Sequence, residues 1–101
     1  MFNKNRRVIC EDGFTMSVQA SATSYCSPRI EGAKQYYEVE IGYPSKEEPL
    51  IMQYAEEPDK PTRTVYGYVT VNTVYLVITK HGGMVAGQVP SGVPVYEHYK
   101  L

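Results

Sequence analysis

The chain has 101 residues, 43% of them hydrophobic and 21% charged, and a net charge of -1 with a pI near 6.1. That is enough for one domain with one core, too hydrophobic for a disordered chain, and without the basic excess of a nucleic-acid binder or the acidic excess of a DNA mimic. No apolar run of signal-peptide length follows the Met1–Arg7 start, and the longest apolar stretch, Val74 to Ile78, is far too short to span a bilayer. Expected throughout is a single domain, 1–101, in a cytoplasm.

The first predicted element is a β-hairpin. Val8 to Cys10 leads into Glu11-Asp12-Gly13, and Phe14, Met16, Val18 and Ala20 then alternate with Thr15, Ser17 and Gln19. Asp12-Gly13 reads as a two-residue type I′ turn, both of whose central residues need positive φ. That register sets Ile9 opposite Met16, on the apolar face. Ser21 to Lys34 is small, polar and broken by Pro28 and Gly32. It reads as a long connection of the kind that carries binding residues, and Tyr25 and Arg29 lie on it.

Alternation returns over Gln35 to Tyr43. Tyr37, Val39, Ile41 and Tyr43 are set on the buried face, and Tyr36, Glu38, Glu40 and Gly42 on the wet one. Ser45 to Glu48 matches a capping box, which predicts a short helix over roughly Lys46 to Ala55. A charged, proline-punctuated loop, Glu56 to Pro61, follows. Thr64 to Val69 reads as a strand with Val65 and Val69 alternating against Tyr66 and Tyr68. Val71, Val74, Tyr75, Ile78 and His81 then form one helical stripe. Thr70 or Asn72 is its candidate cap, and His81 with Gly82-Gly83 its end. Met84 to Leu101 is a tail of two extended pieces around Pro90-Ser91-Gly92. The order predicts an α+β fold: a mainly antiparallel sheet of four to five strands with two short helices on one face.

Chemistry is sparse. His81 and His98 stand at no metal-ligand spacing from Cys10 or Cys26, and no nucleophile signature surrounds either cysteine. Two reduced cysteines packed as small apolar residues are expected. The acid pairs Glu47-Glu48 and Glu56-Glu57 read as solvated. No catalytic residue, metal or cofactor is assigned. What stands out is 10 Tyr against 2 Phe and no Trp. Tyrosine offers a large rigid contact area with a polar tip at low entropic cost. Its ring stacks on nucleobases, and arginine grips phosphate in a bidentate fork. The candidate ligand-binding residues are therefore Tyr25, Arg29, Tyr36, Tyr66, Tyr68 and Asn72.

The runs Cys10 to Ala20, Tyr25-Cys26-Ser27-Pro28-Arg29, Val39 to Ser45, Tyr54-Ala55-Glu56, Thr64 to Val69 and Lys80-His81-Gly82-Gly83 resemble a widespread group of small proteins from tailed phages and prophages. The resemblance covers Val8 to Gly83 and leaves the tail, 84–101, outside it. It implies a helix before His81 and supplies no functional residues. What it implies of function is context: a phage accessory protein, non-enzymatic, in the cytoplasm of a host bacterium. The expected role is countering host defence by sequestering a nucleotide-type signalling molecule. A homo-oligomer is expected, because so short a chain does not enclose a ligand alone. The alternative is a protein-directed inhibitor of a host defence factor, similar in role to anti-CRISPR proteins, acting through a tyrosine-rich interface. A small enzyme using Cys26, His81 or His98 is the third reading. Neither a membrane nor nucleic acid is an expected partner.

Overall fold

The computed structural model describes residues 4–96; Met1 to Asn3 and the end of the tail with His98 lie outside the described residues. Five strands, β1 (Val8–Cys10), β2 (Thr15–Gln19), β3 (Glu38–Gly42), β4 (Val65–Thr70) and β5 (Met84–Ala86), form one antiparallel sheet in the order β4-β3-β2-β1-β5. A 3₁₀ helix (Pro49–Tyr54) precedes β4, and α1 (Val71–Lys80) follows it directly. Val8, Met16, Val18, Val39, Ile41 and Val69 from the strands share one core with Ile51 and with Val74, Val77 and Ile78 of α1. Both helices thus cover the same face, as the α+β reading predicts. The other face carries Thr15, Ser17, Gln19 and Glu40, half-buried, and is left open. No helix among the described residues is long and apolar enough to cross a membrane.

The β1–β2 hairpin is present, but its turn is one residue longer than predicted. Cys10 N donates to Phe14 O at 2.9 Å and Gly13 N to Cys10 O at 3.0 Å. The loop is therefore Glu11-Asp12-Gly13, with positive φ at Gly13 alone (93°), a three-residue turn with glycine at its bulge position. Asp12 Oδ1 accepts from Phe14 N at 2.9 Å and stabilises it. One extra residue flips every β1 side chain. Val8, not Ile9, stands opposite Met16, and Ile9 lies on the open face, 40% exposed.

A second parity change occurs in β4. Val39 pairs with Val69 and Ile41 with Tyr66, so Gly67 and Tyr68 together face Glu40. This β-bulge turns Tyr66 and Val69 both inward and leaves Tyr68 outside with φ 55°. The expected grouping of Tyr66 with Tyr68 is thereby broken. In and beside β3, Val39 and Ile41 are buried as predicted, but Tyr37 and Tyr43 are exposed and Tyr36 is buried. The alternation holds only over Glu38 to Ile41, and Gly42, expected on the wet face, is buried.

The helix before β4 is a 3₁₀ turn that starts at Pro49 with Glu48 as its N-cap, not an α-helix capped by Ser45. Ser45 is used elsewhere: its backbone and its hydroxyl bond both the carbonyl and the N–H of Thr15, at 2.8 and 2.9 Å. Helix α1 is as predicted. Thr70 Oγ1 accepts from Thr73 N at 3.2 Å, His81 is the C-cap, and Gly82 and Gly83 leave the helix with positive φ.

Candidate functional site

Two groups of chemistry-bearing side chains result from this fold. The first is buried. His81 Nδ1 lies 2.6 Å from Asp12 Oδ2, and Nε2 lies 2.7 Å from Glu48 Oε1. Glu48 Oε2 accepts from Lys80 Nζ at 2.9 Å and Leu50 N at 2.8 Å, and Phe14 stacks on the imidazole with centroids 4.1 Å apart. Glu48, expected on a solvated face, is 1% exposed. Burial raises its carboxyl pKa, but the hydrogen bonds from Lys80, Leu50 and His81 outweigh burial and hold it below the ordinary range. Asp12 is lowered by its bond from Phe14 N and then by His81. Each ring nitrogen of His81 thus faces one carboxylate oxygen within hydrogen-bond distance. The cluster ties the first turn, the 3₁₀ helix and the end of α1 together. It offers a substrate no free ring nitrogen.

The cysteines are free and buried. Burial first, and the charge of Asp12 second, push the Cys10 thiol up to about 11. Cys26 Sγ donates to the carbonyls of Ser21 and Pro28. Neither Cys26 nor His81 is engaged with the other. Among the described residues no group of three or more His, Cys, Asp or Glu is placed to hold a metal ion.

The second group is on the surface. Tyr25, Tyr54, Glu56, Gly67 and Tyr68 line an open cleft of about 290 Å³. They come from four features: the Ser21–Lys34 loop, the end of the 3₁₀ helix, the segment after it, and the β4 bulge, which supplies both Gly67 and Tyr68. Two main-chain bonds dock these segments on β4: Tyr68 N to Tyr25 O at 3.0 Å, and Glu56 N to Val65 O at 3.0 Å. Gly67 allows the approach, since a Cβ there would meet Tyr25 Cβ at 3.2 Å. The rings of Tyr25 and Tyr68 stand 6.1 Å apart at 38°, 40% and 44% exposed. The Arg29 guanidinium lies 5.3 Å from the Tyr25 centroid, a cation–π distance. Its hydrogen bond, to Thr23 O at 3.5 Å, is long. Thr73 foremost, with Gln53 and Thr70, holds the half-buried Tyr54 phenol below its ordinary range.

Of the six residues expected at a binding surface, the fold brings together Tyr25, Arg29 and Tyr68. Tyr36 and Tyr66 are enclosed. The Tyr36 hydroxyl donates to Ile30 O at 2.7 Å and accepts from Ala33 N at 3.1 Å, which anchors the long loop. The Tyr66 hydroxyl donates to Pro61 O. Asn72 is exposed on the first turn of α1, outside the cleft lining. Tyr54, Glu56 and Gly67 were missed. Tyr54 shares its helical spacing with core residues, and Glu56 sits in a charged run, so neither carries a local signal.

A polar recess of about 230 Å³ lies against the start of the long loop, between Lys4, Gln19 and Ser21. Its neutral polar groups are paired with one another, Ser21 with Ser24 and Thr23 and Gln19 with Asn5 and Ser17, while the charged Lys4 and Glu40 at its lining make no side-chain bond among the described residues. The tyrosine cleft, where exposed rings from separate segments converge beside a loosely held guanidinium, is the better candidate. Fold and site together define a small α+β domain with an open aromatic cleft among the described residues. No protein-family model, curated protein or solved structure matches the chain.

Proposed function

We propose that the chain is a binding protein without catalytic chemistry of its own, a phage accessory protein of the host bacterial cytoplasm. It takes up a nucleotide-type signalling molecule of a host defence system in the Tyr25–Tyr54–Tyr68 cleft. The observation that carries this reading is the convergence of three tyrosines from three separate segments on one cleft beside Arg29. A base stacks on the rings, and the guanidinium takes a phosphate.

Magnitudes argue for more than one copy. A stacked base contributes ~1–3 kcal/mol, whereas micromolar affinity needs about 8 kcal/mol. Sequestration by this site therefore calls for a second protomer closing on the same ligand. Isothermal titration and thermal shift against cyclic and ADP-ribose-type nucleotides, with native mass measured in parallel, test the reading. Expected are heat, a raised melting temperature and a dimer or larger. No response to any nucleotide would remove it.

The openness of the cleft supports a second reading, inhibition of a host defence protein. Tyr37 and Tyr43 add exposed aromatic surface at 60% and 54%, of the kind that forms interface hot spots. A pull-down from host lysate that recovers one stoichiometric partner and no nucleotide would favour it.

A further inference from the structure

We infer that the cleft selects a guanine base, with Glu56 as the residue that reads it; this rests on the nucleotide reading above. Glu56 lines the cleft and is exposed. Its backbone is held by Val65, and its carboxylate makes no hydrogen bond or ion pair among the described residues. Glu48 and Asp12, by contrast, are engaged in the cluster around His81.

A carboxylate only accepts hydrogen bonds, and it accepts two parallel ones well. The Watson–Crick edge of guanine presents two parallel donors, N1–H and the exocyclic amine. Hypoxanthine presents one. Adenine presents a donor beside an acceptor, and that acceptor faces the carboxylate with like partial charge. Size agrees with a single ring system: 290 Å³ sits at the bottom of the ~300–1,000 Å³ range of ligand pockets. The cleft holds one base, and the phosphate falls outside it. Arg29 stands beside the Tyr25 ring and supplies the cation there. A cationic side chain from a protein would also be drawn by Glu56 and the ring faces, but Arg29 opposes it. A ligand with ring donors at one end and an anion at the other satisfies both groups.

The test uses the full chain and three mononucleotides at millimolar concentration, GMP, IMP and AMP, followed by amide chemical shifts. Expected is tighter binding of GMP than AMP by about 5- to 150-fold, with IMP between. Glu56→Gln abolishes the preference and leaves AMP binding in place. Tyr68→Ala weakens all three. Arg29→Ala lowers GMP to the level of guanosine. Glu56 is exposed, so its variant keeps the native melting temperature. AMP bound as well as GMP, or a preference that survives Glu56→Gln, overturns the guanine assignment and leaves the nucleotide reading standing. No shift with any nucleotide overturns both. Shifts at Tyr25 and Tyr68 with arginine amide alone would make the cleft a cation receptor and overturn both in favour of a protein partner.

Discussion

Glu48 shows how much one side chain decides. It is a carboxylate 1% exposed, with both oxygens bonded, held among His81, Lys80 and Leu50 N. Lys80 is half-exposed and His81 buried, and leaving a buried hydrogen-bonding group without its partner costs about 1–3 kcal/mol. Glu48→Gln is therefore expected to lower stability by that amount in urea unfolding at pH 7. The pH dependence has a defined sign. Asp12 and Glu48 both have folded pKa values below their ordinary 3.8 and 4.5, so over that window the unfolded chain binds more protons than the folded one. Their contribution is complete above about 4.5 and is lost as pH falls through the lowered values. Urea midpoints measured from pH 7 to pH 3 should fall below about 4.5, and less steeply in Glu48→Gln. A variant with the same acid limb as the parent would refute this role for Glu48.

At the scale of elements, helix α1 is short, ten residues, and its start depends on one cap. Thr70 Oγ1 bonds both Thr73 N and the Thr73 hydroxyl. Thr70→Ala is expected to cost about 1 kcal/mol. In a domain of this size that lowers the melting temperature by about 4–8 °C. Thr79→Ala, on the exposed side of the same helix, serves as the control and should stay within about 0.5 kcal/mol. A Thr70→Ala melting temperature equal to the control would show that the cap contributes nothing. The β4 bulge is the element that makes the cleft. Without the extra residue Tyr68 would share a strand face instead of standing at φ 55° beside Tyr25, a conformation that costs a non-glycine residue of order 1 kcal/mol or more.

For the whole molecule, the single core and the buried thiols give a direct readout of global opening. Cys10 is 1% and Cys26 2% exposed. The native chain should react with an aromatic disulfide reagent at least ~10³-fold more slowly than the urea-unfolded chain, because the thiols are reached through rare opening. Equal rates for the two thiols would report one cooperative unit. A fast Cys26 beside a slow Cys10 would show the Ser21–Lys34 loop opening alone and would refute that unity.

Much of the fold was legible in local pattern. The helical stripe from Val71 to His81, the glycine exit after it, the hairpin at Asp12-Gly13 and the α+β order all follow from periods and turn chemistry that act within a few residues. What only the tertiary structure decided is parity and partnership. Whether Gly13 ends a two- or a three-residue turn is settled where Glu11 N and Asp12 N bond the carbonyls of Gly83 and His81, some seventy residues downstream. The bulge at Gly67-Tyr68 depends on how β3 and the Tyr25 loop dock on β4. Each choice shifts a strand by one residue, and with a side-chain period of two that reverses which face is buried. Glu48 and Glu56 look alike in sequence, yet the partners waiting in space placed one in the core and the other in the cleft. Local chemistry determines which elements form; long-range packing determines which way their side chains point, and so where the candidate site lies.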